Sequence, residues 1–371
     1  MGIERWAAHV VCAGLMLGSG CVASSIRGDV REVRSLAKVK VLPALPPGRL
    51  DDLRKEEVKQ MLDHPLDADQ AVRIALLHNR DLVIGAWLPR ESEACYSLNA
   101  GADELLFVLA GSGCVRSVLG DLAFVRGDYV LVPRGVLHRI MFEPGTPPHL
   151  LSVECFGGVA IPQRFRNALG QLRMDAPYCH RDFRRPTFRG PLDEGIRDVW
   201  IKDGARRQKF VHAHNPLDVV GWDGTLYPWA FPILNFQPRV SSIHLPPTWH
   251  GTFEAAGALI CSFVPRPLDF HPDAVPCPYP HLSADIDEVL FYVEGDFSSR
   301  LGVERGSLTL HPGGVPHGPH PGRYESSLGA KRTEEIAVML DVSSRLSATS
   351  RAVEIEDPDY DASFSAPPTG G

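Results

Sequence analysis

Short stretches of alternating apolar and polar residues recur from about residue 83 to about residue 345, separated by glycine, proline or charged residues. They include the runs VIGAW, LLFVLA, YVLV, HRIMF, VLFYV and SLTLH. A period of two residues is typical of strands, and the interruptions are turn signals. With Gly 34 and Pro 32 among 371 residues, the pattern predicts a turn-rich protein dominated by β-structure.

One segment of this pattern occurs twice. The first copy opens DELLFVLAG and closes GDYVLVPRGVLH, and the second opens DEVLFYVEG and closes GSLTLHPGGVPH. In both copies a glycine follows the glutamate, Glu104 or Glu288, by seven residues, and the closing histidine, His138 or His317, follows another glycine by eleven. Two all-β units of this kind predict a jelly roll formed twice.

The second copy carries a candidate metal site. His281 precedes Glu288 by seven residues, and His317 closes the copy after a turn rich in glycine and proline. Two histidines and one carboxylate form a facial triad that leaves metal positions open, as is usual for non-haem Fe(II) that reacts with dioxygen. The sequence therefore predicts Fe(II) at this place.

The first copy lacks part of this set. No histidine precedes Glu104 at ligand spacing, and Val132 stands where the second copy has His311. The first unit is therefore predicted to hold no metal. The alternative for each copy is an ordinary β-scaffold whose histidines are hydrogen-bonded in the core.

These motifs resemble the cupin superfamily and, within it, the homogentisate 1,2-dioxygenase family. The resemblance spans about residues 83–345 and follows that family's order through GDYVLVPRG, NALGQLRMDAPYCHRD, DVVGWDGTLYPWAF, HLPPTWHGTFE, ICSFVPRPLDFHPDAVPCPYPH, HLSADIDEVLFYVEGDF and LHPGGVPHGPHPG. It implies two cupin-type jelly-roll units, an Fe(II) enzyme that opens the ring of homogentisate with O2 to give maleylacetoacetate in tyrosine and phenylalanine breakdown, and a trimer or hexamer.

The resemblance also implies roles for histidines around the iron. His244 matches the family's active-site histidine and would take the substrate's hydroxyl proton, a task that suits an imidazole near neutral pH. His250, in the same motif, is left open between a similar role and a polar loop position. His311 is expected to line the substrate pocket.

His320 continues the turn that ends at His317 and is a candidate for the pocket or for replacing that ligand. His317 is favoured because it alone is in register with His138.

Two departures from the family bear on the substrate. Phe297 stands nine residues after Glu288, where better-known members carry a tyrosine that contacts substrate, so a hydrogen bond to a substrate oxygen would be lost. Compared with those members, this sequence has one extra residue between His281 and Glu288. The alternative functions are a dioxygenase for a related hydroxylated aromatic acid such as gentisate, or a non-oxidative cupin that binds a small acid.

The first 82 residues have a different character. The first 21 resemble a bacterial lipoprotein signal with lipidation at Cys21, and PLDADQAVRIALLHNRDL resembles the start of an outer-membrane efflux channel lipoprotein. Apolar residues between Leu66 and Leu76 recur at helical spacing after Asp67, a suitable N-cap, and predict a short helix. The chemistry predicts a cytoplasmic enzyme, whereas the leader predicts an exported lipoprotein.

The predicted organisation is a leader over 1–82, a first cupin unit over 83–161, an irregular connection over 162–235, a second cupin unit with the metal over 236–345, and a loosely ordered acidic tail over 346–371. A net charge of −7 argues against nucleic acid as a partner, and eight cysteines without CxxC spacing argue against a zinc ribbon or a disulfide framework. The expected partners are a small aromatic acid and dioxygen.

Overall fold

The computed structural model describes residues 72–190, 195–204, 206–219, 226–243, 245, 247–274, 279–295, 297 and 302–362. The predicted lipoprotein signal and its Cys21 lie outside these residues. No helix in the described ranges is both long enough and apolar enough to cross a membrane.

Strands dominate the described residues. In chain order they begin with β1 Val72–His78, β2 Leu82–Leu88, β3 Tyr96–Asn99, β4 Asp103–Ala110, β5 Gly113–Ser117, β6 Gly120–Phe124, β7 Asp128–Val132, β8 His138–Phe142, β9 His149–Cys155 and β10 Val159–Ala160. They continue with β11 Asp198–Asp203, β12 Arg206–Val211, β13 Trp229–Pro232, β14 Gly251–Ala255, β15 Ala258–Phe263, β16 Arg266–Pro267, β17 Asp287–Glu294, β18 Leu308–His311, β19 Arg332–Thr333, β20 Ile336–Val342 and β21 Ser347–Ala348. The described helices are α1 Arg323–Ser327 and α2 Ser350–Glu354, with 3-10 turns at Gln163–Phe165, His180–Asp182, Ile233–Asn235 and Pro247–His250.

The first unit is built from two sheets. One has the order β13-β7-β4-β9-β2-β1-β21, and the other has the order β12-β11-β3-β8-β5-β6. Leu106 and Val130 of the first sheet are buried in one cluster with Val115 and Ile140 of the second. The two sheets therefore face each other across an apolar interior, as in a cupin-type double-stranded β-helix.

The second unit repeats the strand order of the first. Its six-stranded sheet runs β10-β14-β15-β20-β17-β18. Read from the edge, β18-β17-β20-β15-β14 corresponds to β7-β4-β9-β2-β1, with every neighbouring pair antiparallel. The repeat found in the sequence is thus a repeat of topology, and the predicted all-β fold with two cupin-type units is confirmed.

Alternation along β4 and β17 divides their side chains between two interiors. Phe107 and Phe291 point into a core shared by the two units, where their ring centroids are 6.3 Å apart. Leu106 and Leu290, one residue earlier, belong instead to the separate clusters inside each unit. Successive side chains of a strand point to opposite faces. Membership in these clusters therefore shows which residues face each barrel's interior.

The repeated glycines end equivalent strands. Gly111 follows β4 with φ +87°, and Gly295 follows β17 with φ +109°. A Cβ at Gly295 would lie 2.7 Å from the carbonyl oxygen of Glu334. Both the left-handed backbone and this close approach favour glycine, which accounts for its fixed distance from the glutamate.

The helix predicted between Leu66 and Leu76 is wrong for the part that the structure describes. Val72–His78 form β1, paired with β2 on one side and with β21 on the other. Short apolar runs fit helix and strand alike, and here two neighbouring strands supply the backbone hydrogen bonds. The first unit therefore begins at β1 and not at residue 83.

The prediction of a loosely ordered tail from residue 346 is also wrong as far as residue 362. Thr349 is 1% exposed, and its hydroxyl donates a 2.8 Å hydrogen bond to the carbonyl oxygen of Ala75. It also caps α2, accepting from the amide of Ala352. Acidic, serine-rich composition suggested disorder, but pairing with β1 orders this segment; 363–371 lie outside the described residues.

Candidate metal centre

Strand alternation places Glu288 inside the second unit. Glu288 shares its face of β17 with Leu290 and Tyr292, which line that unit's own apolar cluster. The Glu288 side chain is 12% exposed. The same alternation puts Glu104 of β4 inside the first unit, with its side chain 6% exposed.

The aspartate before each glutamate fastens the strand. Asp287 accepts hydrogen bonds from the amides of Gly313 at 2.8 Å and Leu346 at 2.7 Å, and it also pairs with Arg345. Burial alone would raise the pKa of Asp287, but these three donors outweigh it and lower the pKa below its usual value. In the pair Asp287 and Glu288, the aspartate therefore anchors the strand, and the glutamate presents its carboxylate to the interior.

The first unit uses the same anchor. Asp103 accepts from the amide of Arg134 at 2.9 Å and from the amide of Val159 at 2.9 Å. These two donors stand at the positions that correspond to Gly313 and Leu346. The repeated aspartate is visible in the sequence, but its role as an anchor is visible only in the structure.

The two predicted histidine ligands are held side by side by the backbone. The amide of His281 donates to the carbonyl of His317, and the amide of His317 donates back, both at 2.8 Å. Their ring centroids are 4.4 Å apart. This short antiparallel bridge connects the loop before β17 with the turn after β18.

Each ligand ring is oriented by a carbonyl two residues earlier. Nδ1 of His281 lies 2.9 Å from the carbonyl oxygen of Tyr279, and Nδ1 of His317 lies 3.0 Å from that of Val315. Because a carbonyl only accepts, each Nδ1 donates this hydrogen bond, so Nε2 is the nitrogen of each ring that could bind a metal. Metal-binding histidines are typically fixed in this way.

His281, Glu288 and His317 form a group that could hold a metal ion. One ligand atom from each residue lies within 4.8 Å of the others. Burial alone would raise the pKa of Glu288, but hydrogen bonds and charge from His311 and His317 lower it to about 2. A carboxylate and two imidazoles are thus present together, and this donor set fits a divalent transition metal with positions left open.

His311 contacts this group directly. It faces Glu288 across the β17–β18 pair, and its Nδ1 lies 2.9 Å from Oε1 of Glu288. Its ring stacks on that of His317, with centroids 4.4 Å apart. On the other side, its Nε2 lies 2.9 Å from the hydroxyl of Tyr360.

A second carboxylate faces Glu288 from the opposite strand. Asp341 of β20 is its cross-strand partner. Burial, reinforced by the charge of Glu288, raises the pKa of Asp341 to about 7. Among the described residues no ion pair of Asp341 with a basic side chain is formed, so a proton or a nearby cation would relieve this repulsion.

In the first unit, two basic side chains stand by the corresponding carboxylates. Arg73 places Nη1 2.8 Å from Oε1 of Glu104, and its guanidinium lies 4.1 Å from the ring centroid of Trp87. Lys202 pairs with Glu154, the residue that corresponds to Asp341. Burial alone would raise the pKa of Glu104, but the charges of Arg73, His138 and Lys202 lower it to about 2.

The register explains why the two copies differ. Val132 faces Glu104 where His311 faces Glu288. His138 keeps the geometry of His317, with Nδ1 3.0 Å from the carbonyl of Val136. Within the described residues the only cluster with metal-ligand spacing is the one in the second unit.

The remaining predicted residues lie in different surroundings. His320 turns away from the group: its Nδ1 lies 2.9 Å from the carbonyl of Pro321, and its Nε2 accepts from Arg323 at 3.2 Å. Phe297 packs edge-on against Tyr292, with ring centroids 4.9 Å apart. His244 lies outside the described residues.

The position of His250 is now defined. It is 7% exposed, and its ring packs against Phe263 with centroids 4.8 Å apart. Phe263 on β15 corresponds to Trp87 on β2, the ring that Arg73 covers in the first unit. The option of a solvent-exposed loop histidine is therefore wrong, because β15 covers the ring.

Residues of the two sites that were missed from the sequence include Arg73, Asp341 and Tyr360. Arg73 lies in a run interpreted as a helix, and Tyr360 in a segment interpreted as disordered. Asp341, within the run IAVMLDV, is a charged residue in an otherwise apolar strand, which is a detectable signal of an interior polar site.

Relatives of this chain are named as dioxygenases. A Saccharolobus solfataricus protein named "Putative dioxygenase" is 36% identical over 295 residues, which cover 79% of this chain and 76% of that protein. The homogentisate 1,2-dioxygenase of Bradyrhizobium diazoefficiens is 26% identical over 233 residues, covering 60% of this chain and 50% of that enzyme. This chain thus spans about half the length of the latter.

No protein-family model matches the chain. A Leptotrichia buccalis structure described as a Cupin 2 conserved barrel domain protein is similar at 12% identity with a TM-score of 0.33, covering 82% of this chain and 99% of that one.

Proposed function

This chain belongs to the dioxygenase family of the Saccharolobus solfataricus relative, and from that premise we propose that it is an Fe(II)-dependent ring-cleaving dioxygenase. The proposed reaction takes homogentisate and O2 to maleylacetoacetate, with both oxygen atoms entering the product. The observation that carries the proposal is the group His281, Glu288 and His317, whose ligand atoms lie within 4.8 Å of one another inside the second unit.

The proposed division of labour assigns metal binding to this group. When bound, Fe(II) supplies the electron-transfer chemistry that lets dioxygen react with an aromatic ring. The carbonyls of Tyr279 and Val315 accept from Nδ1 of the two imidazoles, so each ring would bind the metal through Nε2. The low pKa of Glu288 keeps its carboxylate charged at neutral pH, so the group needs no proton removal from Glu288 before it binds a cation.

The interior around this group suits an aromatic acid. Leu290, Tyr292, Met339 and Phe297 form an apolar cluster on the inner face of the second unit. An apolar cluster of this kind excludes water from the surroundings of Glu288 and would pack against a substrate ring. We assign the removal of the substrate's hydroxyl proton to His244, which remains a prediction because that residue lies outside the described ones.

Phe297 favours a second candidate substrate. Its ring packs on Tyr292 and brings no hydroxyl to the cluster. A substrate oxygen that depends on a tyrosine hydroxyl would lose that hydrogen bond here, with a cost of about 1–3 kcal/mol if the oxygen is left buried and unpaired. A related hydroxylated aromatic acid such as gentisate is therefore the alternative substrate.

The direct test is oxygen consumption by protein loaded anaerobically with ferrous iron and mixed with homogentisate, with product absorbance followed in parallel. We expect one O2 consumed for each homogentisate and a ring-opened product. Iron binding without oxygen uptake would contradict homogentisate as the substrate, and gentisate would then be tested. Failure to bind iron would contradict the proposal as a whole.

The assignment of His244 has its own test. We expect His244→Phe to retain iron while turnover falls on the order of a hundredfold, because a general base typically contributes 10²–10⁴-fold. An unchanged turnover number would remove this role from His244 and leave the metal proposal intact.

A further inference from the structure

Tyr360, near the end of the described chain, reaches the candidate metal centre through His311. Its hydroxyl lies 2.9 Å from Nε2 of His311, whose Nδ1 lies 2.9 Å from Oε1 of Glu288. A charged carboxylate can only accept, so Nδ1 of His311 donates to Glu288, and its Nε2 pairs with the hydroxyl of Tyr360. The result is a hydrogen-bonded chain from Tyr360 through His311 to Glu288.

The segment that carries Tyr360 is fastened to the first unit. β21 pairs with β1, and Thr349 donates to the carbonyl of Ala75 and accepts at the start of α2. After α2, a turn closes with the amide of Tyr360 donating to the carbonyl of Asp357 at 3.2 Å. The first unit thus fixes the tyrosine that contacts a site in the second.

This contact belongs to the second unit's site and not to that of the first. In the first unit Val132 stands at the position of His311, and Arg73 holds the carboxylate of Glu104. In the second unit His311 binds one carboxylate oxygen through Nδ1. Glu288 is thereby oriented by an imidazole and not held by a guanidinium, and hydrogen bonds of this kind support metal ligands.

We infer that Tyr360 is a positioning residue of the metal centre, acting through His311 on Glu288. This inference rests on the proposed metal centre and adds the C-terminal segment to it. Groups that hydrogen-bond to a metal ligand typically contribute 10–100-fold to metal affinity. Because Tyr360 acts one bond further out, we expect loss of its hydroxyl to weaken metal binding about tenfold.

The test measures the affinity of the full chain for Co²⁺ and Fe²⁺ by competition with a chelator under anaerobic conditions. Tyr360→Phe removes the hydroxyl and keeps the ring that stacks on His311. His311→Val copies Val132 of the first unit and breaks the chain at its middle. Tyr324→Phe, at a tyrosine that is 38% exposed on α1, is the matched control.

We expect Tyr360→Phe to raise the dissociation constant about tenfold, Tyr324→Phe to leave it unchanged, and Tyr360→Phe to have no further effect when His311→Val is already present. Wild-type affinity in Tyr360→Phe, or an equal loss in both backgrounds, would overturn the inference. If Tyr360→Phe lowers stability, the comparison in the His311→Val background still tests the role of Tyr360, because an effect transmitted through His311 disappears there and a general loss of stability does not.

The wild-type measurement separates this inference from the function on which it rests. If the wild-type chain binds neither metal, the proposed metal centre fails, and the inference fails with it. If the wild-type chain binds metal and Tyr360→Phe binds it equally well, only the role of Tyr360 is removed.

Discussion

Arg73 places its Nη1 2.8 Å from Oε1 of Glu104, the residue of the first unit that corresponds to the candidate ligand Glu288 of the second. The first unit thus places a positive charge of its own, Arg73, beside its glutamate. The second unit has at the corresponding place a group that could hold a metal ion. A carboxylate inside a barrel is costly unless a positive charge accompanies it. The two units meet this requirement differently.

The first prediction concerns that ion pair. We expect Arg73→Met to lower the free energy of unfolding by about 3 kcal/mol, at the low end for a broken buried pair because the Arg73 side chain is 28% exposed. Chemical denaturation in urea, followed by circular dichroism, measures this loss. Arg80→Met, at an arginine whose side chain is 74% exposed, is the control and should change stability little.

A double variant tests whether the unpaired charge of Glu104 causes this loss of stability. Arg73→Met with Glu104→Leu removes both charges, and we expect it to regain much of the lost stability. If the double variant is no more stable than Arg73→Met alone, packing of Arg73 against Trp87 is the main contribution, and the electrostatic account is wrong.

The second prediction concerns the carboxylate ligand. Glu288→Gln keeps the size of the side chain but removes its negative charge, so we expect metal affinity to fall more than about a hundredfold, beyond the loss typical for groups that only support a ligand. Iron content after anaerobic loading and gel filtration gives the result. Glu294→Gln, at the exposed end of the same strand, should retain full iron, and equal iron in both variants would exclude Glu288 as a ligand.

The third prediction is a pH dependence of the metal-free protein. The pKa of Asp341 is about 7 in the folded chain, against 3.8 for an ordinary aspartate. Between these values the folded chain binds a proton that the unfolded chain has released. We therefore expect this residue to make stability fall as pH rises from about 4 to 7, by at most about 1.4 kcal/mol per pH unit, and to have no further effect above that window.

Urea unfolding of wild-type protein and of Asp341→Asn across that range, with chelator present, measures this contribution. The variant should be less sensitive to pH than the wild type by the amount above. Asp203→Asn, at an exposed residue of β11, should follow the wild type. Identical pH profiles for Asp341→Asn and wild type would show that Asp341 does not titrate in this range.

The fourth prediction concerns the structural anchor next to the ligand. Asp287→Asn replaces a charged acceptor of three hydrogen bonds by a group that also donates, and we expect a loss of about 2–3 kcal/mol in the free energy of unfolding. Asp285→Asn, two residues earlier and exposed, is the control. A loss no larger than that of the control would mean that neighbouring strands alone hold this part of β17.

The fold was predicted from local patterns in the sequence. Period-2 apolar runs predicted the strands, and the repeated spacings around Glu104 and Glu288 predicted two equivalent units. Those spacings are set by local geometry: a left-handed glycine ends each strand, and a carbonyl two residues back orients His138 and His317. Requirements of this kind act within a few residues and are therefore visible in the sequence.

Errors arose where tertiary pairing outweighed composition. The run around Val72–His78 has helical spacing of apolar residues, but two neighbouring strands recruit it into a sheet. The tail has the composition of a disordered segment, but the hydroxyl of Thr349 and the pairing of β21 order it. β2 follows β1 directly, but β1 and β21 lie far apart in sequence, so no local signal could have indicated that they pair.

By itself, the sequence determined the strand pattern, the duplication and the set His281, Glu288 and His317, because alternation, turn glycines and ligand types are local properties. The tertiary structure alone decided what stands beside each carboxylate. Arg73 reaches Glu104 across 31 residues, and Tyr360 reaches His311 across 49. Such contacts depend on how distant strands meet in the folded sheets, and that meeting gives two copies of one motif different charges and different uses.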